Sequence, residues 1–75
     1  MKTYRFPVII EKDKDGYFAN CPSLQGCYTE GDTYENALKN IHDAIELCIE
    51  DMAAEKEEIL KPKDIILSSV EVSVN

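Results

Sequence analysis

The chain has 75 residues, of which 44% are hydrophobic and 31% charged, and this composition predicts one folded domain spanning residues 1–75 rather than a disordered tail. The formal net charge of −7 argues against direct nucleic acid binding, which needs clustered Lys and Arg, and favours a basic partner. With no secretory signal after Met1 and no apolar run long enough to span a bilayer, we expect a cytoplasmic protein without membrane contact.

The first half of the chain predicts three short antiparallel strands. Apolar residues alternate over residues 4–11, which is typical of a strand with one buried face. Asp15-Gly16 is a strong turn signal, and residues 17–21 are expected to return as the second strand. A connection rich in turn-forming residues then leads to a third strand over residues 27–30.

One amphipathic helix follows, and it is the clearest element in the sequence. Either Asp32 or Thr33 is placed to cap its first turn, with Glu35 or Asn36 three residues further on. We expect Ile45, in the middle of the apolar stripe, to be fully buried. The stripe contains Ala37, Leu38, Ile41, Ala44, Ile45, Cys48, Ile49 and Met52.

Residues 69–74 alternate cleanly, with Val70, Val72 and Val74 on one face, and predict a final strand. The predicted order is therefore β-β-β-α-β. This is an α+β fold with one helix packed on a four-stranded sheet. If the last strand runs parallel to the first, the right-handed crossover rule places the two side by side.

The outer face of the helix is strongly acidic. Between Asp32 and Glu58 there are nine acidic and two basic residues, and nine minus two equals the whole net charge of the chain. A helix selected only for solubility more often mixes its charges, although a solvated face remains an equal alternative. We take the outer stripe as a candidate partner-binding surface: Asp43, Glu46, Glu50 and Glu57.

Apolar residues are also expected on the sheet face that the helix leaves open. If Val8 and Ile10 face the helix, then Ile9 faces away, and Phe18 lies opposite to Tyr17 and Ala19. An apolar patch on the open face of so small a domain is a candidate contact surface. Ile9 and Phe18 therefore predict a homodimer, through this face or through an edge strand.

The residues that could carry chemistry do not assemble into a site, and we expect no catalytic residues, no metal and no cofactor. Glu11 and Glu30 lie at strand ends and do not form the converging carboxylates that two-metal hydrolysis needs. Cys21, Cys27 and Cys48 are odd in number and lack a C-x-x-C pair, which favours reduced, packed thiols.

Several short stretches together resemble the HicB-like antitoxin domain, over about residues 4–52. They are Asp15-Gly16-Tyr17-Phe18-Ala19, Cys21-Pro22-Ser23-Leu24-Gln25-Gly26-Cys27, Gly31-Asp32-Thr33, Ala37 and Ala44-Ile45. The resemblance implies a partly degraded RNase H-like fold with the element order given above. It also implies a small HicA-type toxin as partner, an RNA-cleaving protein. Many such antitoxins carry a C-terminal DNA-binding module; this chain stops at Asn75, so we do not expect it to repress its own operon.

Three functions are compatible with the sequence. The favoured one is an antitoxin-like binding module, not an enzyme, which neutralises a small basic HicA-type toxin by occluding its surface. The alternative is a solitary homo-oligomeric scaffold or accessory protein without a toxin. The third is a residual metal-dependent hydrolase, which mutation of Glu30 or Asp32 would inactivate.

Overall fold

The computed structural model describes residues 3–55 and 64–75. Three strands, β1 (Ile9–Asp13), β2 (Gly16–Asn20) and β3 (Tyr28–Gly31), form an antiparallel sheet in the order β1-β2-β3. One helix, α1 (Tyr34–Ala54), follows. The three predicted strands and the helix are confirmed, with the first strand starting later along the chain than the alternation suggested.

The β1–β2 turn consists of two residues, Lys14 and Asp15, because Asp13 pairs directly with Gly16. The Asp15 backbone N–H donates a hydrogen bond to Oδ1 of Asp13 at 2.8 Å, the local closure that favours Asp in turns. Gly16 has a φ of 136°, which side-chain-bearing residues rarely adopt. Asp15-Gly16 therefore marks the turn as predicted, with Asp15 in the two-residue loop and Gly16 at the first position of β2.

A backbone hydrogen bond between two cysteines closes the base of the β2–β3 connection. The Cys21 N–H donates to the Cys27 carbonyl at 2.9 Å, and the Leu24 N–H donates to the Cys21 carbonyl at 3.2 Å. Both cysteines are buried and face the helix. The connection thus places two thiols next to each other in the core.

Thr33 caps α1. Its side-chain oxygen accepts a hydrogen bond from the Asn36 N–H at 3.0 Å, and its backbone is extended. The sequence left two capping pairs open, and the structure uses Thr33 with Asn36 rather than Asp32 with Glu35. Gly31 is required just before this cap, because a Cβ on Gly31 would lie 2.8 Å from the Cα of Ala37.

The core is small and lies between the helix and one sheet face. Its buried residues are Ala19, Cys21, Cys27, Ala37 and Ile41, and a ring of half-buried side chains surrounds them: Phe6, Val8, Ile10, Tyr17, Leu24, Ala44, Ile45 and Cys48. The expected burial of Ile45 is wrong: this side chain is half-buried, and Leu38 is exposed. The helix packs mainly over β3, so its first turns are covered by the sheet more fully than its later ones.

The predicted fourth strand does not form in the structure. Residues 64–75, here called the C-terminal segment, have no regular secondary structure and are exposed throughout. The sheet accordingly has three strands within the described part of the chain, not four. Alternation of apolar residues sets which face of a strand would be buried, but it does not provide the edge against which the strand must pair.

Candidate partner-binding surfaces

The helix stripe is defined as Asp43, Glu46, Glu50 and Glu57, and its first three residues lie on the face of α1 that points away from the sheet. The first three side chains are exposed, whereas Glu57 is outside the described residues. Among residues 3–55 and 64–75, one lysine approaches the stripe: Lys39 Nζ lies 4.0 Å from a carboxylate oxygen of Asp43. This pair is exposed, so it contributes little to stability and leaves most of the negative charge available to a partner.

His42 borders the helix stripe. Its Nδ1 lies 3.3 Å from Glu46 and 3.5 Å from Asp43, and all three side chains are exposed. Within residues 3–55 and 64–75, these are also the one group of three side chains close enough to share a metal ion. Exposed acidic groups of this kind are common without an ion, and nothing else in the structure marks a metal site.

The open sheet face, defined as Ile9, Glu11, Phe18, Tyr28 and Glu30, is the side of the sheet away from α1. Phe18 and Tyr28 are exposed and stack with ring centroids 5.9 Å apart. Glu11 and Glu30 are the direct cross-strand neighbours of Phe18, on either side of it. The face is therefore an aromatic pair bordered by two carboxylates, next to a half-buried Ile9.

Sequence analysis placed Ile9 and Phe18 on this face but missed Tyr28 and the flanking acids. The signal was present in the strand register: alternation puts Tyr28 and Glu30 on the same side, and pairing with β2 brings both next to Phe18. Glu11 and Glu30 are kept two strand spacings apart by Phe18, about 10 Å at the usual interstrand distance. They do not converge as metal-bridging carboxylates would.

The three cysteines are free, and two of them are deeply placed. Cys21 and Cys27 are buried and Cys48 is half-buried against the same core. Burial raises the pKa of Cys27 to about 12, and the neighbouring Cys48 thiol adds to the effect. Burial likewise raises the pKa of Cys21. Protonated thiols are poor nucleophiles and poor metal ligands, so this arrangement suits packing rather than redox chemistry.

Two asparagines on α1 face the β3 side of the molecule. Asn40 Nδ2 donates a hydrogen bond to the Glu30 carbonyl at 2.8 Å and so ties the helix to the sheet edge. Asn36 and Asn40 line an open concavity together with acidic turn and strand residues: Asp13, Asp15, Glu30 and Asp32. Nothing in the described part of the chain brings a basic side chain to this concavity.

In the described part of the chain, no helix combines the length and the apolar character that a membrane span needs.

The sequence model described as HicB_like antitoxin of bacterial toxin-antitoxin system matches residues 6–72. The chain therefore belongs to the HicB-like antitoxin family. This agrees with a small α+β domain whose exposed surfaces are acidic and partly aromatic.

Similar proteins come from distant organisms. A UPF0150 protein of Synechocystis is 44% identical over 72 residues, which cover 95% of this chain and 90% of that protein. A UPF0150 protein of Helicobacter pylori is 43% identical over 65 residues, covering 87% of this chain and 90% of that protein. Antitoxin HicB 1 of Photorhabdus laumondii is 32% identical over 76 residues, covering all of this chain but 49% of that protein. No solved structure matches the chain.

Proposed function

We propose that this chain is the antitoxin of a toxin–antitoxin pair and that it neutralises a small, basic, HicA-type RNA-cleaving toxin by covering the toxin's working surface. The family supports a toxin–antitoxin role. The observation that carries the occlusion mechanism is the exposed acidic charge of the helix stripe, which matches a protein that binds RNA and is therefore basic. Occlusion needs no catalytic group in the antitoxin.

The helix stripe is proposed to act mainly on the rate of encounter. The carboxylates of Asp43, Glu46 and Glu50 are on the outer face of a helix whose other face is already used in the core, so they are well hydrated in the free protein. Charges of this type attract an oppositely charged partner over a Debye length and contribute less to holding the complex together. We therefore expect the salt dependence to appear in the association rate.

The experiment measures association and dissociation rates of the toxin from the same organism across a series of salt concentrations. Glu46→Lys/Glu50→Lys should slow association, flatten its salt dependence and weaken the block of RNA cleavage. The matched control is Glu11→Lys/Glu30→Lys, which changes the net charge by the same amount on the open sheet face. Both pairs are exposed, so both variants should fold.

Comparing the two double variants shows which surface of the antitoxin contacts the toxin. If the sheet-face variant loses steering and the helix variant does not, the partner docks on the aromatic pair. Equal losses in the two variants would show an effect of net charge alone. Rates and salt slopes identical to those of the wild type in both variants would contradict the role of the helix stripe. RNA cleavage that the wild-type protein does not block would contradict the antitoxin role itself.

The second candidate function is a homo-oligomeric scaffold or accessory protein without a toxin. It is favoured by apolar groups that the isolated chain leaves exposed, including Phe18, Tyr28 and the C-terminal segment. Self-association as a homodimer is also compatible with the antitoxin role, because the helix stripe is separate from these groups. The proposal retains the RNase H-like relation that the family resemblance implies and the cytoplasmic location that the sequence analysis expects.

A further inference from the structure

Two aromatic rings lie in water on the open sheet face. Phe18 is 40% exposed and Tyr28 is 62% exposed, and their stacked rings are inclined by 25° to each other. The two residues are diagonal neighbours across β2 and β3, because Phe18 pairs with Glu30 and Asn20 pairs with Tyr28. Neighbouring apolar side chains that remain exposed form a patch of the kind that marks a contact surface.

The same face carries carboxylates that pair with no lysine or arginine in the described part of the chain. The strand register puts Glu11 and Glu30 on either side of Phe18. Lys12 points to the opposite side of the sheet, where its Nζ lies 5.6 Å from the centroid of the Tyr17 ring. Among residues 3–55 and 64–75, the ion pairs between side chains all lie on α1.

An aromatic ring between two carboxylates is suited to a cation. The ring face attracts positive charge, and a planar guanidinium can stack on the ring while its N–H groups donate to carboxylates beside it. The backbones of Glu11 and Glu30 each lie one strand spacing, about 4.8 Å, from that of Phe18, so a group over the ring is within reach of both. Arginine matches this arrangement better than lysine, whose compact ammonium group does not stack.

Charge argues against two other occupants of this face. A second copy packed face to face would bring its own Glu11 and Glu30 against the same carboxylates, and each chain has a net charge of −7. Nucleic acid would bring phosphates to them. Ile9 and Phe18 alone favoured self-association through this face, but the flanking acids change the expected occupant to a basic protein.

The open sheet face is separate from the helix stripe. α1 covers one side of the sheet and directs its acidic stripe outward, so the stripe and the open sheet face point in opposite directions. At its end the open sheet face continues into the acidic concavity, because Phe18 and Glu30 line both. A protein bound to the helix stripe would therefore leave the aromatic pair accessible.

We propose that the open sheet face is a second docking surface, which takes an arginine side chain from a basic segment of another protein. The guanidinium would stack on Phe18 and Tyr28 and pair with Glu11 and Glu30. This inference goes beyond the proposed antitoxin function, and because it concerns a different surface, either can fail alone.

The direct test uses the unaltered protein, labelled with ¹³C and titrated in an NMR experiment with a short capped peptide in which arginine alternates with alanine. The control peptide has citrulline in place of arginine, which keeps the shape and removes the charge. We expect the arginine peptide to shift the ring signals of Phe18 and Tyr28, and its own side-chain methylene protons to move upfield over the rings. The citrulline peptide should do neither.

Three results of the titration would overturn the proposal. They are equal binding of the two peptides, shifts confined to the helix stripe, and ring signals of Phe18 and Tyr28 that move with protein concentration alone. The last result would identify a second copy as the occupant.

Variants then separate charge from stacking. Glu11→Gln/Glu30→Gln should weaken binding of the arginine peptide about fivefold, the effect expected from two exposed ion pairs. Phe18→Ser/Tyr28→Ser leaves the net charge unchanged and should weaken binding about threefold through loss of the ring contacts. These four side chains are exposed, and circular dichroism checks that both variants fold.

The matched control is Glu46→Gln/Glu50→Gln, which removes the same charge from the helix stripe. It should change the affinity for the arginine peptide less than about twofold, because charges on the far side of the domain are screened by salt. Equal weakening by the two Gln variants would reduce the effect to net charge and overturn the site. Wild-type affinity in Phe18→Ser/Tyr28→Ser would overturn the stacking of the guanidinium.

Discussion

Ile41 is the largest fully buried side chain of the core, and its truncation provides the sharpest test of the fold. It is 1% exposed and sits where α1 crosses the sheet, among Ala19, Cys21 and Cys27. The carbons removed by Ile41→Ala account for roughly 2.4 kcal/mol at about 0.8 kcal/mol per methylene. The cavity left behind raises the expected loss to about 3–4 kcal/mol, within the range of comparable truncations.

That loss is large for this protein. A 75-residue domain has a small core, and total stabilities of single domains are commonly about 5–15 kcal/mol. Ile41→Ala should therefore consume much of the free energy of unfolding, and Ile41→Val should cost about 1 kcal/mol. Leu47→Ala, on the same helix but 62% exposed, should cost under about 0.5 kcal/mol.

The assay is urea unfolding followed by circular dichroism of the helix, at one fixed chain concentration because association shifts the apparent stability. The order of cost should be Ile41→Ala, then Ile41→Val, then Leu47→Ala. A cost below about 1 kcal/mol for Ile41→Ala, or an equal cost for Leu47→Ala, would refute the placement of the helix on the sheet.

Four further predictions concern packing, hydrogen bonding, titration and thiol accessibility. Gly31→Ala should destabilise the fold by about 1–3 kcal/mol, because the added methyl group meets the backbone of α1, whereas Gly26→Asn, whose site is open and where Asn tolerates the positive φ, should be nearly neutral in thermal melts. Asn40→Ala should cost about 0.5–1.5 kcal/mol of unfolding free energy, because it removes the hydrogen bond to the Glu30 carbonyl. Asn40→Ser should not restore this bond. Because the pKa of Cys27 is raised in the folded protein, the stabilising contribution of this thiol is complete below pH 9.0 and is lost as the pH rises toward about 12. The free energy of unfolding should therefore fall with pH over that interval. It should fall less steeply in Cys27→Ala. Native Cys21 and Cys27 should also react slowly with alkylating reagents at neutral pH, and rapid labelling without unfolding would contradict their burial.

Local signals were enough to predict most of the fold. The Asp-Gly turn, the turn-rich connection before Cys27 and the apolar stripe of the helix each act over a few residues, and each element is confirmed. The helix start was predicted to within one residue, because the two candidate caps are Thr33, which precedes Tyr34 directly, and Asp32, one residue earlier. The apolar stripe does not show which turn of the helix is most deeply buried, because that depends on where the helix crosses the sheet. Ile41 is buried and Ile45 is not for this reason.

Non-local features were predicted less well. Alternation in residues 69–74 predicts a strand with one apolar face, but such a strand needs a pairing partner far away in the chain or outside it, and the structure leaves the segment exposed. The open sheet face was recognised through Ile9 and Phe18, whereas the role of Tyr28 required the register between β2 and β3. The helix stripe was readable from charge and period alone. Its binding role remains a prediction.

The neighbour-to-neighbour pairing of the sheet has a consequence for the order in which the protein forms. Each strand pairs with the one beside it in the chain, and α1 then packs mainly on the strand that immediately precedes it. Loops that close over so few residues lose little entropy, so the hairpins and the helix are expected to fold quickly. On the ribosome, residues 9–54 would be ready before the valines of the C-terminal segment emerge. Folding would then be a property of the single nascent chain, and meeting a second copy would be a later step governed by concentration.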